Sequence, residues 1–506
     1  MGGCSSLGVA LERARAFTPS DFLNARTFGF AASRAWVYLL FLGIGSSAIT
    51  WDRISLPPIA FVGSSLFLCV ALFGSAVLHR RLSSVRKKPW FVVLGSTLAA
   101  VGTLLLATSG LARELDSVFL ALGVAFTGIG SGLIDLCFGQ LYKDVREDRF
   151  PFEIPFAFFL ASALYPIIHF APAAVGCLVC TALPLCAGAS LLVAQQGSLG
   201  EKNRPEGSRL EPEHGANADP EATQRVNVFA YTWKIGTCAC LVGLADGIVR
   251  SVFLATAGNG EADFFTAPLP ISNLITLVVI GGCALLSRNQ DLRFVYRSVT
   301  FVMALFFMLL PVFTGSAFVE GTLALSGYGT FNALIWILIA FIARRFRFSG
   351  TVAFGIGWGM VSLGTLLGQA VGTTVAQLPV LAAGTMDTAR ALSLIALLAT
   401  CCILASYLFV FNEEDLSALT ERPKTAEARR KRFQERCTRV AKHYGLTPKE
   451  TEILILYAKG RTRKHIQDEL FISRGTVTTH LRHIYQKMDV HDKQEMLDKI
   501  ENWSDE

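Results

Sequence analysis

Hydroxyl and cationic side chains recur at helical spacing near the C-terminal end of the chain. Arg482 lies four residues after Thr478 and three after Thr479, so the three side chains project from one side of a helix. They can hydrogen-bond to polar edges, and a guanidinium presents two parallel donors. Only Asp468 and Glu469 oppose the nearby cations. These cations are Arg461, Arg463, Lys464, Arg474, Arg482 and Lys487. The local excess of positive charge predicts a phosphate-facing surface.

Four short helices are predicted for residues 446–503, and they would position these side chains. Thr447 and Glu450 form a capping box with Pro448 at the first helical position, and Gly460 ends this helix. The other predicted helices run from about Arg463 to Leu470, from about Arg474 to Met488, and from Asp492 to near Ile500. The third helix carries an apolar stripe of Val477, Leu481, Ile484 and Met488, which we expect to be buried. A short helix, a tight turn and a helix with a polar face predict a helix-turn-helix.

This segment resembles the LuxR-type (NarL/FixJ-like) DNA-binding domain of bacterial transcription regulators. The motifs that carry the resemblance are LTPKE, the glycine Gly460 that ends the first helix, ELFISRGTVTTHLRHIYQKM and Val490-His491. The resemblance implies that the third helix enters the major groove of promoter DNA and that a homodimer binds. By position it implies base-facing roles for Thr478, Thr479 and Arg482. It also implies phosphate contacts for a second set of residues: Arg463, Lys464, Arg474, Thr476 and Lys487.

One residue departs from the LuxR-type pattern. The family usually has lysine where this chain has Thr478, so its base preference does not follow from the family. The alternative to the DNA-binding interpretation is a cytoplasmic helical bundle with no DNA role.

The rest of the chain has the composition of a multi-pass membrane protein surrounded by lipid. Of the 506 residues, 52% are hydrophobic and 17% are charged. The chain contains long apolar runs, most of them uncharged and three with a few charges. Every run counted as a span is long enough for the ~20 residues needed to cross a bilayer. The predicted spans are 29–50, 54–78, 90–112, 116–141, two within 154–200 with a hinge near Ala171-Pro172, 227–255, 264–287, 298–319, 321–343, 350–377 and 391–412. The sequence therefore predicts an all-α protein with twelve membrane helices.

Charge in the connections predicts the orientation of these helices. One alternate set of loops holds only Arg53, Arg113 and Arg390. The other set holds Arg80, Arg81, Arg86, Lys87, Lys88, Lys143, Arg146, Arg149, Lys202, Arg204, Arg209, Arg225, Arg288, Arg293, Arg344, Arg345 and Arg347. Because cytoplasmic loops carry the excess of Lys and Arg, both termini are expected in the cytoplasm of a bacterial cell, with the chain in its inner membrane.

A polar stretch at 195–226 divides the predicted spans six and six and is expected to be a flexible cytoplasmic linker. Across it, AFTGIGSGLIDLCF at 125–138 aligns with ALSGYGTFNALIWI at 324–337. Two repeated six-helix halves resemble the major facilitator superfamily. The loop after the second span reads GSAVLHRRLSSVRKK and lacks the Asp and second Gly of that family's signature. This departure argues against active transport.

Charged residues inside the predicted spans indicate a ligand pocket between the halves, because buried charge in a membrane is costly. Asp246 and Arg250 lie four residues apart and could pair, and Asp135 lies on the fourth span. The predicted pocket consists of Asp135, Asp246, Arg250, Trp36, Tyr328 and Trp358. The alternative is that these charges form structural ion bridges that hold the halves together.

The predicted domain order ends with a charged helix before the helix-turn-helix. The ranges are 1–28, a cytoplasmic segment; 29–194 and 227–411, the two membrane halves; 412–445, the charged helix; and 446–506, the DNA-binding domain. The charged helix carries a stripe of Phe433, Cys437, Val440 and Tyr444. We find no catalytic triad, nucleotide loop, cofactor motif or metal-ligand spacing. The resulting hypothesis is a membrane-bound one-component transcriptional regulator of a small-molecule signal. The alternative is a transporter with a regulatory DNA-binding tail.

Overall fold

The structure is a computed structural model, and it describes most of the chain. The described residues are 23–41, 58–79, 81–82, 89–109, 116–145, 149–202, 228–256, 267–287, 292–313, 316–345, 349–376, 397–398, 400–401, 403–404 and 424–501. The chain divides into two compact units, Met1–Leu419 and Thr420–Glu506.

The first unit is built from long apolar helices. They are α1 (Ala25–Phe41), α2 (Pro58–Val77), α3 (Pro89–Thr108), α4 (Asp116–Lys143), α5 (Phe150–His169), α6 (Ala173–Lys202), α7 (Val228–Thr256), α8 (Pro268–Leu286), α9 (Leu292–Leu309), α10 (Ala317–Arg345) and α11 (Gly350–Ala376). Within the described residues, nine of these helices are long and apolar enough to cross a membrane. The protein is therefore a multi-pass membrane protein. The predicted span at 391–412 lies mostly outside the described residues.

Prolines account for two of the boundaries. The predicted hinge near Ala171-Pro172 is confirmed, since α5 ends at His169 and α6 begins at Ala173. The span predicted at 298–319 was placed too late. The helix α9 begins at Leu292, and a 3₁₀ turn around Pro311 follows it. Helix α6 also continues to Lys202, into the stretch predicted as linker.

Glycines allow α7 and α11 to pack with their backbones close together. A methyl group added at Gly364 or Gly368 of α11 would clash with the carbonyl oxygens of Cys240 and Leu244 on α7. The two glycines are one helical turn apart, which is the small-residue spacing that brings membrane helices together. Any larger side chain at these positions would force the two helices apart.

The helices of the two predicted halves meet along α2–α11 and α5–α8, and α4 also contacts α10 and α11. The guanidinium of Arg344, at the end of α10, donates a hydrogen bond of 2.6 Å to the carbonyl oxygen of Val145 after α4. The ring of Phe354 on α11 occupies the space that a side chain at Gly139 of α4 would need. The halves are thus in direct contact on the side where α4 and α10 end.

Over its described residues, 424–501, the second unit has five helices around its own core. They are α12 (Lys424–His443), α13 (Pro448–Ala458), α14 (Arg463–Leu470), α15 (Arg474–Met488) and α16 (Lys493–Glu501). The buried residues of the core are Cys437, Val440, Ala441, Ile453, Leu454, Ile466, Val477, Leu481, Ile484, Met488, Val490, Met496 and Ile500. The predicted stripe on the charged helix is confirmed, and α12 packs as part of this unit. Burial raises the pKa of the Cys437 thiol to about 11.

Local capping residues set the ends of these helices as predicted. The Thr447 hydroxyl accepts from the Glu450 amide at 3.3 Å, and the Glu450 carboxylate accepts from the Thr447 amide at 2.8 Å. Ser473 caps α15 by accepting from the Thr476 amide at 3.1 Å. Between α14 and α15 the chain turns at Phe471, whose φ of 52° is left-handed. The predicted helices at 463–470 and 474–488 are confirmed.

Candidate nucleic-acid interface and buried polar centre of the membrane domain

Helix α15 has one buried face and one exposed face. Its predicted apolar stripe is confirmed, because Val477, Leu481, Ile484 and Met488 are all buried in the core of the second unit. Thr478, Thr479 and Arg482 are exposed on the other side. We call this trio the reading face. Its side chains are free of the core, so they can meet a partner without unfolding the domain.

The two threonines of the reading face are fixed to their own helix. The Thr478 hydroxyl donates to the carbonyl oxygen of Arg474 at 3.0 Å, and the Thr479 hydroxyl donates to that of Gly475 at 3.0 Å. Each hydroxyl oxygen keeps acceptor capacity, and each methyl group is held at the surface. Arg482 is therefore the long donor of the reading face.

The predicted phosphate contacts Arg463, Lys464, Arg474 and Thr476 are exposed. Arg463 and Lys464 open α14 just after its cap Thr462, and Arg474 opens α15. The Thr476 hydroxyl lies 2.8 Å from the Ser473 hydroxyl, so it supports the cap of α15. These residues lie at the first turns of α14 and α15, where the helix dipoles add positive potential.

Lys487, another predicted phosphate contact, forms an ion pair inside the protein. Its Nζ atom lies 2.7 Å from Oε2 of Glu450 and 3.2 Å from the carbonyl oxygen of Gly445. Nδ1 of His483 lies 3.7 Å from the other oxygen of Glu450. Burial alone would raise the pKa of Glu450. Hydrogen bonds from Lys487 and Thr447 outweigh it, and they lower the pKa to about 2. Lys487 therefore neutralises a buried carboxylate.

In the membrane domain, Asp135 of α4 pairs with Arg34 of α1. Both side chains are almost completely buried. The Arg34 guanidinium carbon also lies 5.2 Å from the ring centre of Phe30, and 5.8 Å from the ring centres of Trp336 and Trp358. Because Trp336 is on α10 and Trp358 is on α11, the cation of the first half is enclosed by rings of the second half.

The Arg34–Asp135 pair has unused hydrogen-bonding capacity. Among the residues that the structure describes, no hydrogen-bond partner is found for three buried atoms: Nε of Arg34, Oδ2 of Asp135 and Nε1 of Trp336. An unmade hydrogen bond at a buried polar atom costs about 1–3 kcal/mol. Two donors and one acceptor of this cluster are thus buried without a hydrogen bond in the described part of the chain, and Trp358 contributes a further contact to the Asp135 carboxylate.

A second ion pair lies two turns earlier on α1. Arg26 donates to both carboxylate oxygens of Glu153 on α5, at 2.7 Å from Nη2 to each oxygen and 3.0 Å from Nε to Oε2. The rings of Phe30 and Tyr142 pack edge to face, with centroids 5.4 Å apart. Arg26 lies over the Tyr142 ring and Arg34 over the Phe30 ring. Helix α1 therefore connects the two ion pairs through an aromatic contact.

The structure places the other predicted pocket residues in different surroundings. Trp36 is buried against α3, where its Nε1 donates to the Thr103 hydroxyl at 2.9 Å. Tyr328 lies beside Tyr38 of α1, which in turn interacts with Arg34 and Asn273. Asp246 lies on α7. The side chain of Arg250 is outside the described residues. Asp135 and Trp358 are thus brought together, and Trp36 is not part of their cluster.

The sequence interpretation missed Arg34, which pairs with Asp135, and the rings of Phe30 and Trp336 beside it. A signal existed, since Arg34 falls inside the first predicted span and Asp135 inside the fourth. Buried charges in membranes pair with one another, so two opposite charges in spans of the same half are candidate partners. Within the described ranges, no group of three His, Cys, Asp or Glu residues could hold a metal ion.

Comparison with known proteins finds relatives of the second unit. Residues 445–500 match the family of bacterial regulatory proteins described as the luxR family. The transcriptional regulatory protein LiaR of Bacillus subtilis is 51% identical over 51 residues, which are 10% of this chain and 24% of LiaR. The uncharacterized response regulatory protein YgeK of Escherichia coli is 42% identical over 65 residues, 12% of this chain and 44% of YgeK. The chain therefore spans about a quarter of one relative and less than half of the other.

Solved structures similar to this chain include membrane transporters of low identity. A bacterial homologue of the iron transporter ferroportin has a TM-score of 0.48 at 15% identity, covering 80% of this chain and 99% of its own. The proton:xylose symporter XylE, of the major facilitator superfamily, has a TM-score of 0.48 at 12% identity, covering 82% and 99%. Residues 445–500, by contrast, are a LuxR-family helix-turn-helix domain at the C-terminal end of a multi-pass membrane protein.

Proposed function

We propose that this protein is a membrane-embedded one-component transcription regulator that senses a small molecule and binds promoter DNA. The observation that carries the proposal is the presence of a LuxR-family helix-turn-helix and a multi-pass membrane domain in one chain. The first unit would bind the small molecule and the second would bind the DNA.

In the second unit, α15 would enter the major groove, with the reading face toward the base edges. Arg463, Lys464, Arg474 and Thr476 would contact the phosphates at the first turns of the two helices. The exposure of these side chains supports this arrangement. Two copies would bind half-sites about one helical turn apart as a homodimer.

In the first unit, the Arg34–Asp135 pair would be the centre of the sensor. Its cation belongs to one half, and two of the rings around it belong to the other. A ligand that engages Arg34 or Asp135 would change how the halves pack against each other. Such a ligand shifts the protein between states only if it binds one arrangement more tightly.

We also propose that both termini are cytoplasmic, because this orientation puts the DNA-binding domain where DNA is. The excess of Lys and Arg in alternate connections supports it. A reporter enzyme that works only in the cytoplasm is expected to be active when it is fused after Glu506. A reporter that works only in the periplasm is expected to be inactive there. An active periplasmic reporter at this end would contradict the orientation.

Chromatin immunoprecipitation of the full-length protein in its own cell tests the proposed function. We expect enrichment of discrete promoters, loss of that enrichment in Arg482→Ala, and changed transcription of the same genes. Deletion of residues 420–506 should abolish both effects. If the wild-type protein precipitated all regions of the genome to the same extent, this result would contradict a regulatory role.

A further inference from the structure

Helix α12 carries most of the net positive charge of the chain. It contains eight Lys and Arg and two Glu, so its net charge is +6. The whole chain has a net charge of +7. The rest of the second unit, residues 444–506, holds ten Lys and Arg against eleven Asp and Glu. The charge excess of the second unit therefore lies on α12, before the residues 445–500 that match the luxR family.

The apolar stripe of α12 is buried in the core of the second unit, and cations lie on another side of the helix. Arg439 and Lys442 are exposed there. Arg432 precedes Arg439 by seven residues and Lys431 precedes Lys442 by eleven, which are close to two and three helical turns. Helical spacing therefore places these four residues on one side, which Glu435 shares. We call the four cations the basic row.

The basic row and the reading face belong to helices that pack on one core. Helix α12 packs against α13 and α16, whereas α15 packs against α13 and α14. Because both helices turn their apolar stripes to the same core, their exposed sides point outward in different directions. DNA held against the reading face would therefore lie on a different side of the domain from the basic row.

The covalent chain keeps α12 near a membrane. The last predicted span ends at residue 412, and α12 begins at Lys424. The residues between them, 413–423, can cover at most about 40 Å. A negatively charged cytoplasmic leaflet attracts basic residues that come within about a Debye length, roughly 10 Å. Phospholipid headgroups are therefore a partner that the basic row can always reach.

We propose that the basic row of α12 binds anionic phospholipid headgroups at the cytoplasmic surface of the membrane and leaves the reading face open to DNA. This inference rests on the proposed cytoplasmic orientation of the C-terminus and not on the sensing role. Charge complementarity identifies the partner, because four cations face a negative leaflet with one carboxylate among them. Long Lys and Arg side chains can also lie along such a surface while their charged ends meet the phosphates.

The test uses the fragment 420–506, because it is one compact unit with its own core. Its sedimentation is measured with vesicles of phosphatidylcholine alone and with vesicles that also contain phosphatidylglycerol. Its binding to a mixed-sequence DNA duplex is measured in parallel. The first variant is Arg439→Gln with Lys442→Gln. The matched control is Lys464→Gln with Arg474→Gln, which removes the same charges from exposed positions at the starts of α14 and α15.

We expect the wild-type fragment to sediment with the anionic vesicles and not with the neutral ones, and added salt should release it. Arg439→Gln with Lys442→Gln should lose about tenfold or more in affinity for anionic vesicles, since each basic residue near such a surface contributes about fivefold. Its affinity for DNA should change by less than about twofold. Lys464→Gln with Arg474→Gln should weaken DNA binding and leave vesicle binding unchanged.

A second variant separates loss of charge from loss of folding. Arg439→Lys with Lys442→Arg keeps both cations on α12, so it should sediment with anionic vesicles as wild type does. The Tm of both α12 variants should stay close to that of wild type, because the substituted side chains are exposed.

Three results would overturn the inference. Equal sedimentation with both kinds of vesicle, or with neither, would show that negative charge does not recruit the fragment. Equal vesicle binding by wild type and by Arg439→Gln with Lys442→Gln would place the lipid contact elsewhere. A loss confined to DNA would make the basic row a contact for DNA phosphates. A wild-type fragment that binds anionic vesicles but no DNA would instead support the inference and contradict the proposed function.

Discussion

Nζ of Lys487 lies 2.7 Å from Oε2 of Glu450 and joins the reading helix α15 to the start of α13. Glu450 is buried and also forms the capping box with Thr447. One carboxylate therefore holds the end of one helix and the start of another. The orientation of the reading face depends on this contact as well as on the apolar core.

The lowered pKa of Glu450 predicts that acid destabilises the second unit. The folded pKa is about 2 and the ordinary value is 4.5. The stabilisation is therefore fully present above the ordinary value, and it is lost as the pH falls from about 5 toward 2. The shift corresponds to at most roughly 3 kcal/mol at neutral pH, and solvent screening at the partly exposed Lys487 lowers this figure. Urea unfolding of the 420–506 fragment at several pH values measures it.

Glu450→Gln should remove most of this pH dependence, because the titrating group is gone. Glu452→Gln is the matched control, since Glu452 is exposed and pairs with Lys449 only at the surface. The free energy of unfolding of this control is expected to depend on pH as that of the wild type does. Equal pH dependence in wild type and Glu450→Gln would show that other carboxylates cause the acid sensitivity.

Lys487→Ala and Lys464→Ala should separate folding from phosphate contact. Lys487→Ala leaves the buried Glu450 without its cation, so we expect a loss of about 1–3 kcal/mol in the free energy of unfolding. Lys464 is exposed on α14, and its removal should cost less than about 0.5 kcal/mol. Both quantities come from urea unfolding of the fragment.

In DNA titrations against salt, Lys464→Ala should weaken all sequences alike and reduce the salt slope by about one. The same experiment decides whether Lys487 also contacts phosphate. Destabilisation of Lys487→Ala with an unchanged salt slope would limit its role to the Glu450 contact. An unchanged slope for Lys464→Ala would remove Lys464 from the phosphate contacts.

Local signals in the sequence predicted the second unit well. The starts of α13 and α15 follow from the caps Thr447 and Ser473, and α15 also carries a repeating apolar stripe; each signal lies within a few residues. The partner of Lys487 could not be predicted this way. Glu450 is 37 residues away, and the contact depends on how α13 and α15 cross.

The same limit applies in the membrane domain. Hydropathy predicted where most described helices begin and end, because span length follows from bilayer thickness. Arg34 and Asp135 are 101 residues apart, so their pairing depends on which helices are neighbours. The apolar composition of the sequence indicates how long each helix is, but it does not indicate which other helices pack against it. Trp36 was therefore grouped with Asp135, although it faces α3.

Breaking the Arg34–Asp135 pair should separate its structural role from its proposed sensing role. Asp135→Asn leaves a buried cation uncompensated, so we expect full-length protein in detergent to lose several degrees in Tm. Arg34→Gln combined with Asp135→Asn should recover much of the Tm, because no net charge remains buried. Fluorescence-detected thermal unfolding measures both.

Promoter activity in cells then tests sensing with the double variant. If the pair is the sensor centre, the double variant should insert and bind DNA, but its target genes should no longer respond to growth conditions. Asp116→Asn, in the first turn of α4, is the control for loss of a carboxylate on the same helix. A stable double variant with a normal response would make the pair purely structural.

Arg482 is predicted to supply base preference, because it is the only residue of the reading face long enough to contact a guanine edge with two donors. Such a contact is worth about 1–3 kcal/mol of discrimination. Arg482→Ala should therefore relax the preference at one base pair in each half-site, while affinity for scrambled DNA changes little. Library selection with the wild-type and variant fragments measures the preference directly. Gln486→Ala, one turn further along the exposed side of α15, is the control and should select the wild-type sequence. Equal loss of specific and non-specific affinity in Arg482→Ala would show that Arg482 contacts phosphate and that the base-reading surface lies elsewhere on α15.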